Sequence, residues 1–290
     1  FRSVPSLEVD NASVLDEFYR IDRDDPNSSN CRIIHNRGER VDDDGKFILS
    51  PKAREEIVKL FMTKEELLVG KTIEDCFTDE FFESNFWLYW CSMFAFEKWH
   101  SAIEMRRYIM RFIHHSKGLP DFSPLKFTKY KKYESIIYAD KKTIELTEND
   151  LVFVTNGSIT ESSTQGSPTH AASKTNELGG SWKLWQNLAK QSEEFGHPDV
   201  FCKDIPKEAW VVSATVTWKN LKIQPYFEKL TDRQLRSGKV VTGGIITVKD
   251  SNWLLSFTTH RQPHFKEQND EESVTWVYGL LSNTPGNYIK

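Results

Sequence analysis

From Asn85 to His115 the chain has neither proline nor glycine, and the stretch FWLYWCSMFAFEKW from Phe86 to Trp99 is densely aromatic. The run is too long for a strand, so it predicts one long helix or two in series, aromatic through Trp99 and amphipathic after it. Gly118-Leu119-Pro120 ends it. So many rings need either a heavy core or a site for a bulky apolar ligand, and a chain of 290 residues is long enough to bury a sizeable core.

Elements on either side follow from caps and alternation. The apolar positions Val14, Leu15, Phe18, Tyr19 and Ile21 recur at helical spacing and stop at Asp25-Pro26. Cys31 to Val41 and Phe47 to Leu49 flank the polar turn Asp42 to Gly45 and read as a hairpin. Ser50-Pro51 opens a helix over Ala53 to Met62, and Thr63 with Glu66 has the spacing of a capping box. Thr143 to Leu146 and Leu151 to Thr155 read as strands, the second entering the small turn Asn156-Gly157-Ser158, where α/β folds place ligands. A Ser/Thr/Gly-rich loop precedes a helix from Ser181. Beyond it, Ala209 to Thr217, Val240 to Val248, Trp253 to His260 and Ser273 to Leu281 predict an antiparallel sheet, with a helix near Pro225 to Leu235. The expectation is an α/β (mixed α+β) chain, with residues 1–200 mostly helical and 201–290 β-rich.

Composition excludes several classes. Hydrophobic residues at 38% with charged residues at 28% do not describe a disordered chain. A net charge of −4 gives no general attraction to phosphate backbones, so nucleic acid is not the expected partner. The basic-aromatic cluster Lys129 to Tyr133 fits a solvated turn or contact with anionic lipid. Cys31, Cys76, Cys91 and Cys202 form no C-x-x-C pair and suggest free thiols; without a signal-peptide layout or an apolar run of about eighteen residues, the expectation is a cytoplasmic protein. The first residue is Phe, which suggests a native start further upstream.

The chain carries no G-x-G-x-x-G, P-loop, G-x-S-x-G or H-E-x-x-H motif. Three clusters remain: Arg106-Arg107-Tyr108 with His114-His115, the turn Thr155-Asn156-Gly157-Ser158, and Thr258 to His264. Each also has a plain structural account: a polar helix face with a half-buried ring, a strand end, and a turn after a strand. Pattern alone leaves the function open between a binding protein for apolar ligands and an enzyme.

The stretches FRSVPSLEVDNASVLDEFY at the start, Phe86 to His115, NDLVFVTNGSITESS from Asn149, and TGGIITVKDSNWLLSFTTHRQPHF from Thr242 resemble the oleate hydratases, or myosin-cross-reactive antigens, in the same order along nearly the whole chain. The resemblance implies a flavoprotein fold related to flavin amine oxidases, FAD as cofactor, a homodimer, peripheral contact with membranes, and an unsaturated fatty acid as substrate. It implies Tyr108 as proton donor, Thr258, His260 and His264 as holders of the substrate carboxylate, and Thr155, Asn156, Gly157 and Ser158 as the turn packed on the flavin. Position 260, Asn in some relatives, is His here. The family's glycine-rich FAD turn and its R-G-G-R-E-M loop, whose glutamate positions the water, precede the residue matching Phe1. A further family stretch is missing between Ile137 and Tyr138, and the carboxy-terminal FAD contacts follow the residue matching Lys290. The resemblance therefore favours a fatty-acid hydratase represented in part. A non-catalytic lipid-binding remnant is the alternative, and a redox flavoenzyme is a weaker third.

Overall fold

The computed structural model describes residues 2–24, 30–112, 145, 147–150, 161, 163–173, 177–202, 210–237 and 243–281. The chain divides into two compact units, one of residues 1–140 with 210–290 and one of residues 141–209. The strands expected over Thr143 to Leu146 and Leu151 to Thr155 lie largely outside the described residues.

The larger unit opens with helix α1 (Val14–Asp24), capped reciprocally: the Asp16 carboxylate accepts from Ser13 N–H at 2.9 Å and from its hydroxyl at 2.7 Å, while Ser13 Oγ accepts from Asp16 N–H. A hairpin follows, but it turns earlier than the polar run at 42–45 suggests. Strands β1 (Arg32–His35) and β2 (Glu39–Arg40) pair across Asn36-Arg37-Gly38, all at positive φ. Asp42 to Gly45 instead forms a polar knot. The buried Asp43 carboxylate accepts from Gly45 N–H at 2.9 Å, Asn85 Nδ2 at 2.8 Å and the Tyr89 hydroxyl at 3.2 Å. These bonds draw the segment toward a helix, and Phe47 and Leu49 pack into the aromatic core without forming a strand.

Helix α2 (Pro51–Met62) starts as its sequence predicts, with Ser50 Oγ accepting from Ala53 N–H at 3.1 Å. The capping box at Thr63 does not form. Thr63 closes α2, its hydroxyl donating to Lys59 O at 2.6 Å, and a 3-10 turn runs from Glu65 to Leu67.

After the short α3 (Asp79–Phe82), the aromatic run forms two helices, α4 (Asn85–Phe94) and α5 (Ala102–Phe112). The break falls at Ala95, in the left-handed region at φ 56. The connection is pinned by the 71–74 segment: Ile73 N–H donates to His100 O, Glu74 N–H to Lys98 O, and Ala102 N–H to Lys71 O, at 2.9 to 3.0 Å. Folding back lets rings of both helices meet, with Phe94 against Tyr108 and Phe112. Each fully buried ring of this size contributes about 1.5–3 kcal/mol.

The sheet runs β2-β1-β4-β5-β6-β3, where β3 is Val212–Trp218, β4 Ile246–Val248, β5 Ser256–Thr258 and β6 Ser273–Gly279. It is mixed, because β1 pairs parallel with β4 while the other pairings are antiparallel. The antiparallel sheet expected after residue 200 is thus extended by strands from residues 32–40, and the sheet spans the division expected at 200. One face packs Ile34, Ile246 and Phe257 against Phe227 of a helix over Gln224–Thr231. The other face meets α4: Thr247 donates to Ser92 Oγ at 2.6 Å, and the Tyr278 hydroxyl donates to Ser92 O at 2.8 Å.

In the smaller unit, α6 (Gly180–Ala189) begins within one residue of its predicted start, followed by α7 (Asp199–Cys202), so the helix of the larger unit over Gln224–Thr231 is α8. The Glu161 carboxylate caps α6 by accepting from the N–H groups of Gly180 and Ser181 and from the Ser181 hydroxyl. No described helix is long and apolar enough to cross a membrane.

Candidate active site

Helix α5 carries Tyr108 at the edge of the aromatic cluster. The ring is half-buried, set edge-on to Phe94 with centroids 5.3 Å apart and perpendicular to Phe96 at 5.2 Å. Its hydroxyl makes no hydrogen bond among the described residues, unlike the buried phenols of Tyr89 and Tyr278. With Phe94, Phe96, Trp99, His100, Ser101 and Glu104 it lines a cleft of about 310 Å³. An aromatic wall with a few polar groups on one side suits an apolar ligand that must meet a hydrogen-bonding group at one point.

The arginines beside Tyr108 are occupied elsewhere. Arg106 Nη1 lies 3.2 Å and Arg107 Nη2 2.8 Å from the Glu65 carboxylate, which ties α5 to the turn after α2. The bond from Arg107, aided by the charges of both arginines, holds the Glu65 carboxyl below its usual range. This pair therefore fixes the helix that presents Tyr108.

Thr258 ends β5 and is buried, with Trp276 as its partner across the β5–β6 pairing. By strand alternation it shares the face of Ser256, whose hydroxyl reaches Thr247, so it faces the α4 side of the sheet. Past the strand, the rings of His260 and His264 stack 5.0 Å apart at 24°. The structure brings the rings of His260 and His264 together, on the segment that follows Thr258. That segment is locked by Gln262, within the cluster, and by Gln268, beyond it. Gln262 donates to His260 O at 2.8 Å and accepts from Val274 N–H at 3.1 Å, and Gln268 accepts from His264 N–H at 2.7 Å. The backbone of Gly243 presses on Thr259, where a Cβ would run into the Thr259 carbonyl.

Thr155, Asn156, Gly157 and Ser158 lie outside the described residues, as do His114 and His115. The sequence pattern assigns no site role to His100 or Glu104, and Trp99 figures in it only as the end of the aromatic run. Glu104 stands four residues before Tyr108, a helical neighbour legible from spacing, whereas His100 and Trp99 join the cleft only because the run breaks at Ala95. The described residues do not offer a dinucleotide a phosphate cradle at α6, because Glu161 already fills the helix start behind Gly179-Gly180. No group of three or more metal-ligating side chains occurs among the described residues.

The profile of the MCRA family matches residues 1–139 and 137–290, and the chain belongs to this family. The two matches meet where the sequence reading places the missing internal stretch. The chain is 54% identical to the oleate hydratase of Streptococcus pyogenes serotype M49 (strain NZ131), across 100% of this chain and 56% of that protein. It is 27% identical to the linoleate hydratase of Lactiplantibacillus plantarum, across 87% of this chain and 53% of that protein. The chain therefore spans about half the length of the relatives it matches.

Proposed function

We propose that the chain is part of a fatty-acid hydratase that adds water across the cis double bond of oleate or linoleate to give a 10-hydroxy fatty acid. The observation that carries the reading is the match, at 54% identity along the whole of this chain and 56% of the relative, to a protein named oleate hydratase. Tyr108, which lines an aromatic cleft and whose hydroxyl is bonded to no described residue, agrees with it.

In this reading the phenol gives its proton to one alkene carbon and water adds to the other, with the rings of Phe94, Phe96 and Trp99 lining the cleft beside the cationic carbon. Thr258, His260 and His264 hold the carboxylate at the far end, where hydrogen bonds to a charged group are worth about 1.5–3 kcal/mol each. FAD is proposed as cofactor on the family resemblance, with the turn at Thr155 to Ser158 against it; its role in such a site is to organise the surroundings of the substrate. A homodimer, cytoplasmic location and peripheral contact with fatty-acid-bearing membranes belong to the same proposal.

Hydration differs from oxidation in its bookkeeping of atoms. Oleate converted in ¹⁸O-labelled water should give a hydroxy acid carrying one labelled oxygen, with no oxidant consumed. A product whose new oxygen comes from dioxygen, or a product more unsaturated than oleate, would contradict the reading.

A further inference from the structure

The Tyr108 cleft contains a second ring whose hydrogen-bonding state is defined by its surroundings. His100 lies in the connection between α4 and α5, half-buried, edge-on to Trp99 at 4.2 Å and to Phe96 at 5.9 Å. Its Nδ1 accepts the Glu97 N–H at 3.2 Å, and its carbonyl accepts the Ile73 N–H at 2.9 Å. A ring nitrogen that accepts carries no proton, so the neutral imidazole carries its proton on Nε2. Burial pushes the His100 pKa down, which favours that neutral form. Phe96 is the common neighbour of His100 and Tyr108, and both rings line the cleft.

Other polar groups of the cleft are less suited to act on Tyr108. Glu104 is engaged with Arg107 at 3.4 Å, and its side chain is more than half exposed. Ser101 is exposed at the rim. Trp99 also offers a buried indole N–H, but its nitrogen only donates and no hydrogen bond sets its direction among the described residues, whereas the bond from Glu97 N–H to Nδ1 orients the His100 ring and leaves Nε2–H as its donor.

We infer that His100 is a positioning residue that holds a water in this cleft through Nε2–H, and that this water returns a proton to Tyr108 after each turnover. The inference rests on the hydratase reading above. Its chemistry balances without a further reactant: the Tyr108 O–H bond breaks as the new C–H bond forms, leaving a phenolate. A water adds its oxygen to the other carbon and releases one proton to solvent. The cleft water passes one proton to the phenolate and regains one from solvent, so each cycle consumes one water. Because Nε2–H donates to the oxygen of the held water, the O–H bonds of that water point away from the imidazole and are available to an acceptor such as the phenolate.

The test compares first and later turnovers in a preparation active on oleate, using His100→Phe and His100→Gln. His100→Phe keeps a ring but has no donor, whereas the Gln amide can place an N–H near the position of Nε2. The expected result is a first turnover near the wild-type rate in both variants. Steady-state turnover should slow by about tenfold or more in His100→Phe, on the scale of positioned proton transfer, and be largely restored in His100→Gln. Equal slowing of the first and later turnovers, a steady-state rate in His100→Phe within about twofold of wild type, or a Gln variant no better than Phe would overturn the inference. If His100→Phe does not fold, His100→Ala replaces it: added imidazole should raise its steady-state rate, and no rise would overturn the inference. Tyr108→Phe, run alongside, separates the two levels. If it abolishes hydration while the His100 variants behave as wild type, only the water-holding role fails; if it keeps its rate, the proton-donor reading fails with it.

Discussion

His260 and His264, four residues apart on the turn after β5, stack their imidazoles 5.0 Å apart and nearly parallel. The backbone holding them is fixed by Gln262 and Gln268, so the rings are presented by a rigid turn next to Thr258. If this end of the site holds the substrate carboxylate, removing one ring should weaken recognition of the charge and leave the chemical step alone. His264→Ala and Thr258→Ala should each raise KM for oleate by about tenfold or more, with a smaller change in kcat. The check is the preference for oleate over its uncharged methyl ester, which should shrink in both variants. An unchanged preference would remove these residues from carboxylate binding.

The same turn depends on a glycine for a steric reason. Gly243 is buried with its backbone against Thr259, leaving no room for a side chain. Gly243→Ala should lower stability by about 1–3 kcal/mol, the usual cost of overpacking, as read from the midpoint of denaturant unfolding. A variant as stable as the parent would mean that the two backbones do not approach this closely.

At the start of α2, Ser50 satisfies the Ala53 N–H that the helix itself cannot. Ser50→Ala should cost about 1 kcal/mol in the same measurement, and Ser50→Asp should cost much less.

The clasp of Glu65 by Arg106 and Arg107 gives a pH dependence with a definite sign. The Glu65 pKa is lowered in the folded state, chiefly by its bond from Arg107. Its contribution to stability is therefore complete above the ordinary glutamate value of 4.5 and is lost as pH falls through the lowered folded value. Wild type should exceed Glu65→Gln in unfolding midpoint at pH 6, and the gap should narrow progressively below about pH 4.5. A gap that stays constant down to pH 3 would show that the charge on Glu65 contributes nothing.

Much of the local structure was legible because it depends on neighbours in sequence. The Ser50 cap, the start of α6 and the helical spacing from Val14 all come from contacts within a few residues. What was missed depends on distant partners. The hairpin turn fell at Asn36 to Gly38 because Asp43 is claimed by Asn85 and Tyr89, residues some forty positions away, and no local pattern announces that. The pairing of β1 with β4 joins segments more than two hundred residues apart, so a sheet read from the chain after residue 200 could not include it. Of the candidate site, Tyr108 and the Thr258 to His264 segment were visible through family resemblance. The cleft partners His100 and Trp99 were not, because they reach it only through the left-handed turn at Ala95 and the pinning of 98–102 to 71–74.

The most direct test of the account is the rate of hydroxy-acid formation from oleate by a preparation active on it and by its Tyr108→Phe variant. The phenol ring packs against Phe94 and Phe96 through its faces and edges, and its hydroxyl is bonded to no described residue, so the substitution keeps the packing and removes only the acid. Stability and fatty-acid binding should change little. The hydration rate should fall by about 10²–10⁴-fold, the scale of a positioned general acid. A Tyr108→Phe variant that keeps most of its hydration rate would contradict the assignment of Tyr108 as proton donor, and with it the central claim about this cleft.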